Sequence, residues 1–228
     1  MKRKIIITKD GSKTIQIEDW NEQYHSVHGA IQEAKHVFIK HGLLFYYNSF
    51  QEKLKSNKAS VLEIGFGTGL NAFLTFIEAE KINLKLNYVG VEAYLVSMEE
   101  IQQLNYIELI SEKHSDVYTK MHNSEWEKES IISEFFTLKK EEKFFKDITA
   151  QSEFDIIYFD AFGARVQPEL WTEDIFKIMY ETLRPEGVLV TYSAKGSVRR
   201  AMQSVGFQVE RLPGPPGKRE MLRAQKKL

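Results

Sequence analysis

The sequence predicts an α/β fold in which a doubly wound, mostly parallel sheet is followed by an antiparallel final hairpin. A short apolar strand, Val61 to Ile64, runs into a glycine turn and then into an apolar stretch with helical spacing. Apolar strands then alternate with helical stretches, which is typical of a parallel sheet whose sites lie at the carboxyl ends of its strands. Two strands, Phe207 to Leu212 and Glu220 to Ala224, flank a stiff loop rich in proline and glycine at the end of the chain. Together these observations indicate a Rossmann-like architecture.

Length and composition fit one such domain with a small extension. The chain has 228 residues, of which 43% are apolar and 28% charged, as in a soluble globular protein. It has no cysteine, which excludes a disulfide framework and a thiolate metal site. No stretch approaches the roughly 20 apolar residues of a membrane span. We therefore expect a cytoplasmic protein that contacts no membrane, with an N-terminal extension over residues 1–58 and the main domain over residues 59–228.

The extension is predicted to begin with a β-hairpin outside the main sheet. Polar and apolar residues alternate from Lys4 to Ile17 around Asp10-Gly11, a pair suited to a tight turn. A polar loop then becomes helical near Ala30, and a further helix is predicted from Leu43 to Leu54. Three histidines lie at a spacing that matches no metal-site pattern: His25, His28 and His36. We therefore expect no metal ion.

The glycine turn after the first main strand predicts a ligand site. Gly65, Gly67 and Gly69 stand at alternate positions, where a sharply bent backbone needs residues that tolerate positive φ and lack a Cβ. The first N–H groups of the following helix are unpaired and carry a partial positive charge, which favours a carboxylate or a phosphate. We expect an anionic, nucleoside-like ligand here.

The spacing of the glycines in this turn indicates which class of ligand binds. A dinucleotide fingerprint needs a third glycine at the position of Leu70, whereas this chain has G-x-G-x-G with Glu63 two residues before it. Glu92 ends an apolar strand 23 positions beyond Gly69, close to the usual offset of an acid that binds ribose hydroxyls. The alternative is an ordinary tight turn beside a solvated strand end. The G-x-G-x-G form resembles the first motif of class I S-adenosylmethionine-dependent methyltransferases, which implies that the turn packs on the methionine part of that cofactor.

The remaining elements follow from apolar runs and their breakers. Strands are predicted at Tyr88 to Glu92, Phe154 to Phe159 and Gly187 to Tyr192, and helices at Val96 to Leu104, Trp171 to Leu183 and Gly196 to Val205. Residues 105–150 are the hardest to assign. There, Ile131 to Leu138 and Lys143 to Ile148 could pair as strands.

An acid and an aromatic residue follow one of these strands. Asp160 closes the strand Phe154 to Phe159, and Phe162 comes two residues later. We expect this strand to lie beside the one that enters the glycine turn, which would put both side chains next to a transferable methyl group. The alternative for Asp160 is a helix cap or a solvated strand end.

Basic residues accumulate at the end of the chain. Residues 195–228 hold nine lysines and arginines against two glutamates, whereas the whole chain has a net charge of −1. This asymmetry suits local contact with a polyanion, and a solubilising tail is the alternative.

Five segments resemble the methyltransferase domain of the MnmC family, the tRNA 5-methylaminomethyl-2-thiouridine biosynthesis proteins. They are HGAIQEAKHVFI at 28–39, LEIGFGTGLN at 62–71, DAFGARVQPELWT at 160–172, YSAKGSVRRAMQSVGF at 192–207 and GPPGKREM at 214–221. The resemblance implies a class I methyltransferase that uses S-adenosylmethionine to methylate the 5-aminomethyl group on the wobble uridine, or 2-thiouridine, in the anticodon stem-loop of tRNA. Many members also carry a flavin-dependent oxidase domain. Because this chain has one glycine-rich nucleotide turn, we expect a stand-alone methyltransferase without FAD, whose aminomethyl substrate is made by a separate enzyme.

The resemblance and the chemistry together assign roles to residues. Methyl transfer from a sulfonium needs an aligned amine lone pair, so positioning dominates. We expect Asp160 to orient the amine and Phe162 or Tyr192 to pack on the base. The predicted cofactor-binding residues are Glu63, Gly65, Gly67, Gly69, Glu92, Asp147 and Asp160. The predicted tRNA- or substrate-binding residues are Tyr24, Glu33, Lys195, Arg199, Arg200, Lys218 and Arg219.

Several alternatives remain open from the sequence alone. A methyltransferase acting on a small-molecule or protein amine would keep every cofactor residue and differ only in its acceptor pocket. A non-catalytic tRNA-binding protein would keep the basic end but would have little need for the acids at 63, 92 and 160. Tyr24 and Glu33 could equally have packing or helix-surface roles, and residues 105–150, which include Asp147, depart most from the family.

Overall fold

The N-terminal extension forms a small sheet of its own. A computed structural model describes residues 2–54 and 57–227. Its first three strands pair antiparallel in the order β1-β2-β3: β1 Arg3–Ile7, β2 Lys13–Ile17 and β3 Glu22–Gln23. The pairing of Ile7 with Lys13 around Asp10-Gly11 confirms the predicted hairpin outside the main sheet.

One continuous helical stretch replaces the two separate helices that the sequence predicts. Its parts are α1 (Ala30–Ala34), a π-helix (Lys35–Leu44), α2 (Phe45–Phe50) and a 3₁₀ turn (Gln51–Lys53). Gly42 lets the π-helix approach the sheet closely, since a Cβ there would lie 3.0 Å from the side chains of Tyr158 and Val190. The helical stretch therefore packs directly on one face of the main sheet.

The main sheet has eight strands in the order β10-β11-β9-β8-β4-β5-β7-β6. The strands are β4 Lys58–Ile64, β5 Lys85–Glu92, β6 Glu129–Ser133, β7 Phe136–Glu142, β8 Phe154–Phe159, β9 Leu183–Thr191, β10 Gln208–Pro213 and β11 Glu220–Gln225. Strands β7, β5, β4, β8 and β9 are parallel, while β6, β11 and β10 join through antiparallel pairs. The predicted α/β sheet with an antiparallel final hairpin is confirmed.

Helices cover both faces of this sheet. They are α3 Leu70–Lys81, α4 Met98–Ile101, α5 Tyr106–Ile110, α6 Ser115–Asn123, α7 Glu173–Thr182 and α8 Gly196–Ser204. One buried cluster joins α3 and the N-terminal helical stretch to one face of the sheet, and a second joins α7 and α8 to the other. Within the described ranges, no helix is long and apolar enough to cross a membrane.

The predicted strand pair in the middle of the chain is wrong. The run Ile131 to Leu138 reverses direction between β6 and β7, which pair with each other, and β7 then pairs with β5. Lys143 to Ile148 contains a 3₁₀ turn, Phe145–Asp147, and the buried residues are its first residue, Phe145, and Ile148, three positions later. That spacing suits a helical turn and not a strand, where buried residues alternate. This turn lies beside the cavity described below.

Candidate cofactor and acceptor site

A cavity of about 490 Å³ opens at the carboxyl ends of the parallel strands. Residues that follow β4, β5, β7, β8 and β9 line it on one side, as expected for a doubly wound sheet. Residues 22–27 and Glu33 of the N-terminal extension line the other side. The extension therefore completes the cavity wall.

The glycine turn forms the floor of this cavity. Gly65, Gly67 and Gly69 have φ values of 89°, 50° and 69°, in the left-handed region that favours glycine. A Cβ on Gly65 would lie 2.8 Å from the carbonyl oxygen of Asp160, so this close approach of two loops requires glycine. Gly65 and Gly67 line the cavity, whereas Gly69 lies against His122 and caps the start of α3.

Glu92 lies at the cavity with its carboxylate held by the backbone. It accepts hydrogen bonds from the N–H groups of Gly67, Ala93 and Tyr94, each at 3.0 Å. Burial raises the pKa of Glu92, and these three hydrogen bonds oppose that rise. A carboxylate has about four acceptor positions, so one remains for a ligand hydroxyl.

Glu63 lies beneath the cavity and does not line it. Its side chain is fully buried, and its two oxygens accept from Asn71 Nδ2 at 2.9 Å and from the hydroxyl of Tyr88 at 2.8 Å. Burial raises the pKa of Glu63 well above its usual range. Its hydrogen-bonded link to the site therefore runs through Asn71.

Asp160 also lines the cavity. Among the acids that line it, Asp160 has the largest shift in pKa. Its Oδ2 accepts from Asn71 Nδ2 at 2.9 Å. Burial raises the pKa of Asp160 to about 7, and the charge of Glu33 adds to that rise, while Asn71 and Lys218 oppose it. A carboxyl group that titrates near neutral pH can hold or accept a proton under working conditions.

Aromatic rings form the wall next to Asp160. The Phe162 ring meets the rings of Tyr24 and Trp20 edge to face, at centroid distances of 5.0 and 5.7 Å. The indole N–H of Trp171 donates to the Phe162 carbonyl at 2.8 Å, and the Tyr192 hydroxyl donates to the Ala161 carbonyl at 2.8 Å. These bonds fix the loop that carries the acid and leave flat apolar faces beside it.

An ion pair joins the N-terminal helix to the final hairpin at the cavity. Nζ of Lys218 lies 2.6 Å from Oε1 of Glu33 and 3.7 Å from the centroid of the Tyr192 ring. The second oxygen of Glu33 accepts from the Ser26 N–H at 2.9 Å. Both charged residues line the cavity, so two of the predicted substrate-binding residues meet here.

Besides Glu63 and Gly69, five of the residues predicted for binding lie outside the cavity lining. Asp147 is exposed, although Phe144, Phe145 and Lys146 beside it line the cavity. Lys195, Arg199, Arg200 and Arg219 lie at the start of α8 and in the final hairpin loop, where Arg199 is half-buried and the other three are exposed. Among the residues that the structure describes, none of these four cations is in an ion pair.

Sequence reasoning missed Asn71. Asn71 is a buried polar residue among the apolar residues that begin α3. A polar residue in such a run is the sequence feature that could have identified it. His25 is partly buried with Nδ1 2.9 Å from Thr14 Oγ1, and desolvation lowers its pKa to about 4. In the described part of the chain, no group of three or more potential ligands is arranged to hold a metal ion.

Comparisons with known proteins are consistent with this geometry. The family model described as S-adenosyl-L-methionine-dependent methyltransferase matches residues 105–227. The tRNA 5-methylaminomethyl-2-thiouridine biosynthesis bifunctional protein MnmC of Marinomonas sp. (strain MWYL1) is 27% identical over 216 residues, which are 89% of this chain and 31% of that protein. The protein of the same name from Leptospira interrogans serovar copenhageni is 28% identical over 232 residues, 95% of this chain and 34% of that protein. The chain thus spans about a third of the length of these relatives.

Solved structures give the same picture of the fold. The crystal structure of MNMC2 from Aquifex aeolicus superposes with a TM-score of 0.78 at 25% sequence identity, covering 99% of this chain and 70% of that chain. Spermidine synthase from Thermotoga maritima superposes with a TM-score of 0.55 at 14% identity, covering 97% of this chain and 72% of that chain. The second likeness concerns the fold alone.

Proposed function

Since the chain belongs to the family of S-adenosyl-L-methionine-dependent methyltransferases, we propose that it methylates the 5-aminomethyl group on the wobble uridine, or 2-thiouridine, of tRNA. The product would be 5-methylaminomethyl(-2-thio)uridine. The observation that carries this proposal is the cavity in which a glycine turn, a backbone-held acid and a carboxyl group that titrates near neutral pH meet an aromatic wall. The names of the relatives support tRNA as the acceptor.

The residues at the glycine turn fit the cofactor. Gly65 and Gly67 present only backbone to the cavity, and the amino end of α3 favours a carboxylate. Glu92 has one acceptor position left for a ribose hydroxyl. Asp147, at the end of the 3₁₀ turn that borders the cavity, is proposed to face the adenine. When bound, S-adenosylmethionine supplies an electrophilic methyl group on its sulfonium.

Asp160 is proposed to hold the acceptor amine. A primary alkylamine is mostly protonated at neutral pH, and burial in this cavity disfavours the ammonium form, whereas the nearby carboxylate favours it. Asp160 can accept a hydrogen bond from the amine and take up its proton, which leaves the nitrogen lone pair free. Phe162 offers a flat face on which the uridine base can pack, and Tyr192 can offer the ring face that Lys218 does not cover. The reaction as proposed uses neither a flavin nor a metal ion, because displacement at a methyl group needs positioning and a proton acceptor.

The basic residues outside the cavity are proposed to contact tRNA phosphates. Lys195, Arg199, Arg200 and Arg219 carry no ion-pair partner among the described residues and lie on the elements next to Tyr192 and Lys218. Phosphate contacts of this kind orient an RNA without reading its sequence. Lys218 is proposed to act at the cavity wall, since its ammonium is held by Glu33.

The proposal also covers how the chain is organised and where it works. Residues 1–58 are proposed as an extension that supplies one wall of the site, and residues 59–228 as the methyltransferase domain. We propose a cytoplasmic location and a separate enzyme that supplies the aminomethyl group.

The direct test is transfer of labelled methyl from S-adenosylmethionine to bulk tRNA from a strain that lacks this gene, with nucleoside analysis of the product. We expect the label in 5-methylaminomethyl(-2-thio)uridine. If the protein binds the cofactor and leaves tRNA unlabelled but labels a small-molecule or protein amine, the acceptor in this proposal is wrong.

A further inference from the structure

A single amide group lies between the two acids at the centre of the site. Nδ2 of Asn71 donates to Oε1 of Glu63 and to Oδ2 of Asp160, each at 2.9 Å. An amide NH₂ has two hydrogens, so these two bonds use both. Asn71 is 2% exposed and stands in the first turn of α3, which limits its freedom to turn away.

The orientation of this amide is set by the acids. Oδ1 of Asn71 is buried without a hydrogen-bond partner among the described residues. A buried carbonyl oxygen without a donor is unfavourable. Turning the amide over would place that oxygen against two acidic oxygens, which is worse while either acid is ionised. The Asn71 side chain therefore keeps its NH₂ group towards the acids, although this leaves its carbonyl oxygen without a donor.

Asp160 has one held oxygen and one free oxygen. Oδ2 is bonded to Asn71, whereas no hydrogen bond to Oδ1 is found within residues 2–54 and 57–227. Resting on the proposed function, we propose that Asn71 is a positioning residue, which holds Oδ2 of Asp160 so that Oδ1 is presented to the acceptor amine. Glu63 holds the amide of Asn71 from below, and the Tyr88 hydroxyl holds Glu63. This gives Glu63 a role that requires no contact with the cofactor.

Other titratable groups also face Asp160. Glu33 and Lys218 face it from the N-terminal helix and the final hairpin, Glu63 and Tyr88 from β4 and β5, and Tyr192 from the end of β9. Glu33 and Lys218 form an ion pair, and their charges have opposite effects on the pKa of Asp160. Among these neighbours, Asn71 alone donates a described hydrogen bond to the Asp160 carboxylate.

The first test compares kinetics of Asn71→Ser with those of the wild-type enzyme. We expect kcat to fall about 10- to 100-fold while the KM for S-adenosylmethionine changes by less than about twofold. The acidic limb of the kcat profile should move up by about one pH unit, because the removed donor stabilised the ionised carboxylate. Thr75→Val is the matched control, since Thr75 is buried on the same helix and, among the described residues, its hydroxyl bonds to Tyr158 and not to either acid. A fall in kcat with an unmoved pH profile would overturn the proposal.

The role of Glu63 is tested by conservative rescue. Glu63→Leu should reduce kcat as Asn71→Ser does, because nothing then holds the amide from below. Glu63→Gln keeps an acceptor oxygen for Asn71 and should recover most of that loss. Equal losses in the two Glu63 variants would contradict the proposed chain of contacts.

A second measurement needs no acceptor. Carboxyl ¹³C resonances of Asp160 can be titrated in the wild-type protein and in Asn71→Ser, and the midpoint should rise by about one pH unit in the variant. In the wild type, the side-chain NH₂ resonances of Asn71 should shift with the same midpoint as Asp160, which needs no variant to fold. Unresponsive NH₂ resonances would overturn the inference. Absence of methyl transfer to tRNA by the wild type would instead overturn the proposed function.

Discussion

Lys218 in the final hairpin loop and Glu33 in the N-terminal helix form an ion pair across 185 residues of sequence, with Nζ and Oε1 2.6 Å apart. The Glu33 side chain is 9% exposed, and that of Lys218 is 31% exposed. The pair joins the two ends of the chain at the cavity. It also brings a positive charge over the Tyr192 ring.

Lys218→Met should lower the free energy of unfolding by about 2 kcal/mol, because it leaves a largely buried carboxylate without its cation. The double variant Glu33→Gln/Lys218→Met should regain part of that loss. Urea denaturation of Glu33→Gln, Lys218→Met and the double variant completes a double-mutant cycle that measures the coupling. Arg219→Met is the control, since Arg219 is exposed and adjacent. Equal effects of the Lys218 and Arg219 variants would show that the pair contributes nothing.

The stability of the protein should depend on the ionisation of Asp160. Its pKa is raised to about 7 from a usual value of 3.8, so the folded state binds a proton more tightly than the unfolded chain does. The resulting stabilisation is fully present below about pH 4 and is lost as the pH rises towards 7, by up to about 1.4 kcal/mol per pH unit. Denaturation of the wild type and of Asp160→Asn across this range isolates the effect. A constant difference between the two proteins from pH 4 to pH 7 would contradict it.

Gly65→Ala should destabilise the protein by about 2 to 3 kcal/mol and weaken cofactor binding. The new Cβ would meet the Asp160 carbonyl at 2.8 Å, and the residue would keep a φ of 89°. Gly163→Ala is a close control in the next loop, because its Cβ would meet nothing nearer than the Tyr192 hydroxyl at 3.7 Å. Thermal unfolding and calorimetric titration with S-adenosylmethionine compare the two variants. Equal stability and equal cofactor affinity of the two variants would argue against the close approach of Gly65 to the Asp160 carbonyl.

Binding to tRNA should be salt-dependent through the basic end of the chain. Removing one phosphate contact with Lys195→Gln or Arg200→Gln should reduce the slope of log affinity against log salt by about 1. The matched control is Lys85→Gln, an exposed lysine at the amino end of β5, away from the cavity. Filter binding at several salt concentrations measures the slope. An unchanged slope for both basic variants would remove these residues from the proposed interface.

Much of the fold could be predicted from the sequence because its signals are local. The strand Phe154 to Phe159 has the predicted bounds, and the glycine turn, the N-terminal hairpin and the final hairpin lie where the sequence predicts them. Each depends on a short apolar run or on turn residues within a few positions. The run Lys143 to Ile148 was misassigned because a short apolar stretch does not distinguish a strand from a turn.

The candidate site was predictable only in part. Asp160 and Glu92 follow parallel strands, so their place at one edge of the sheet follows from the topology. The Asn71 bridge and the pairing of Lys218 with Glu33 depend on contacts between distant segments, which periodicity does not encode. For the same reason, the burial of Glu63 emerges only from the packed structure, whereas Tyr24 and Glu33, which the sequence predicts as substrate-binding, do line the cavity.

The most direct test of the central claim is single-turnover methyl transfer to two anticodon stem-loops that differ only at the wobble uridine. One carries a 5-aminomethyl group and the other an unmodified uridine, and both are incubated with enzyme and methyl-labelled S-adenosylmethionine. We predict label in the first stem-loop only, recovered as 5-methylaminomethyluridine. Label in both stem-loops, or in neither while the cofactor is bound, would contradict the account.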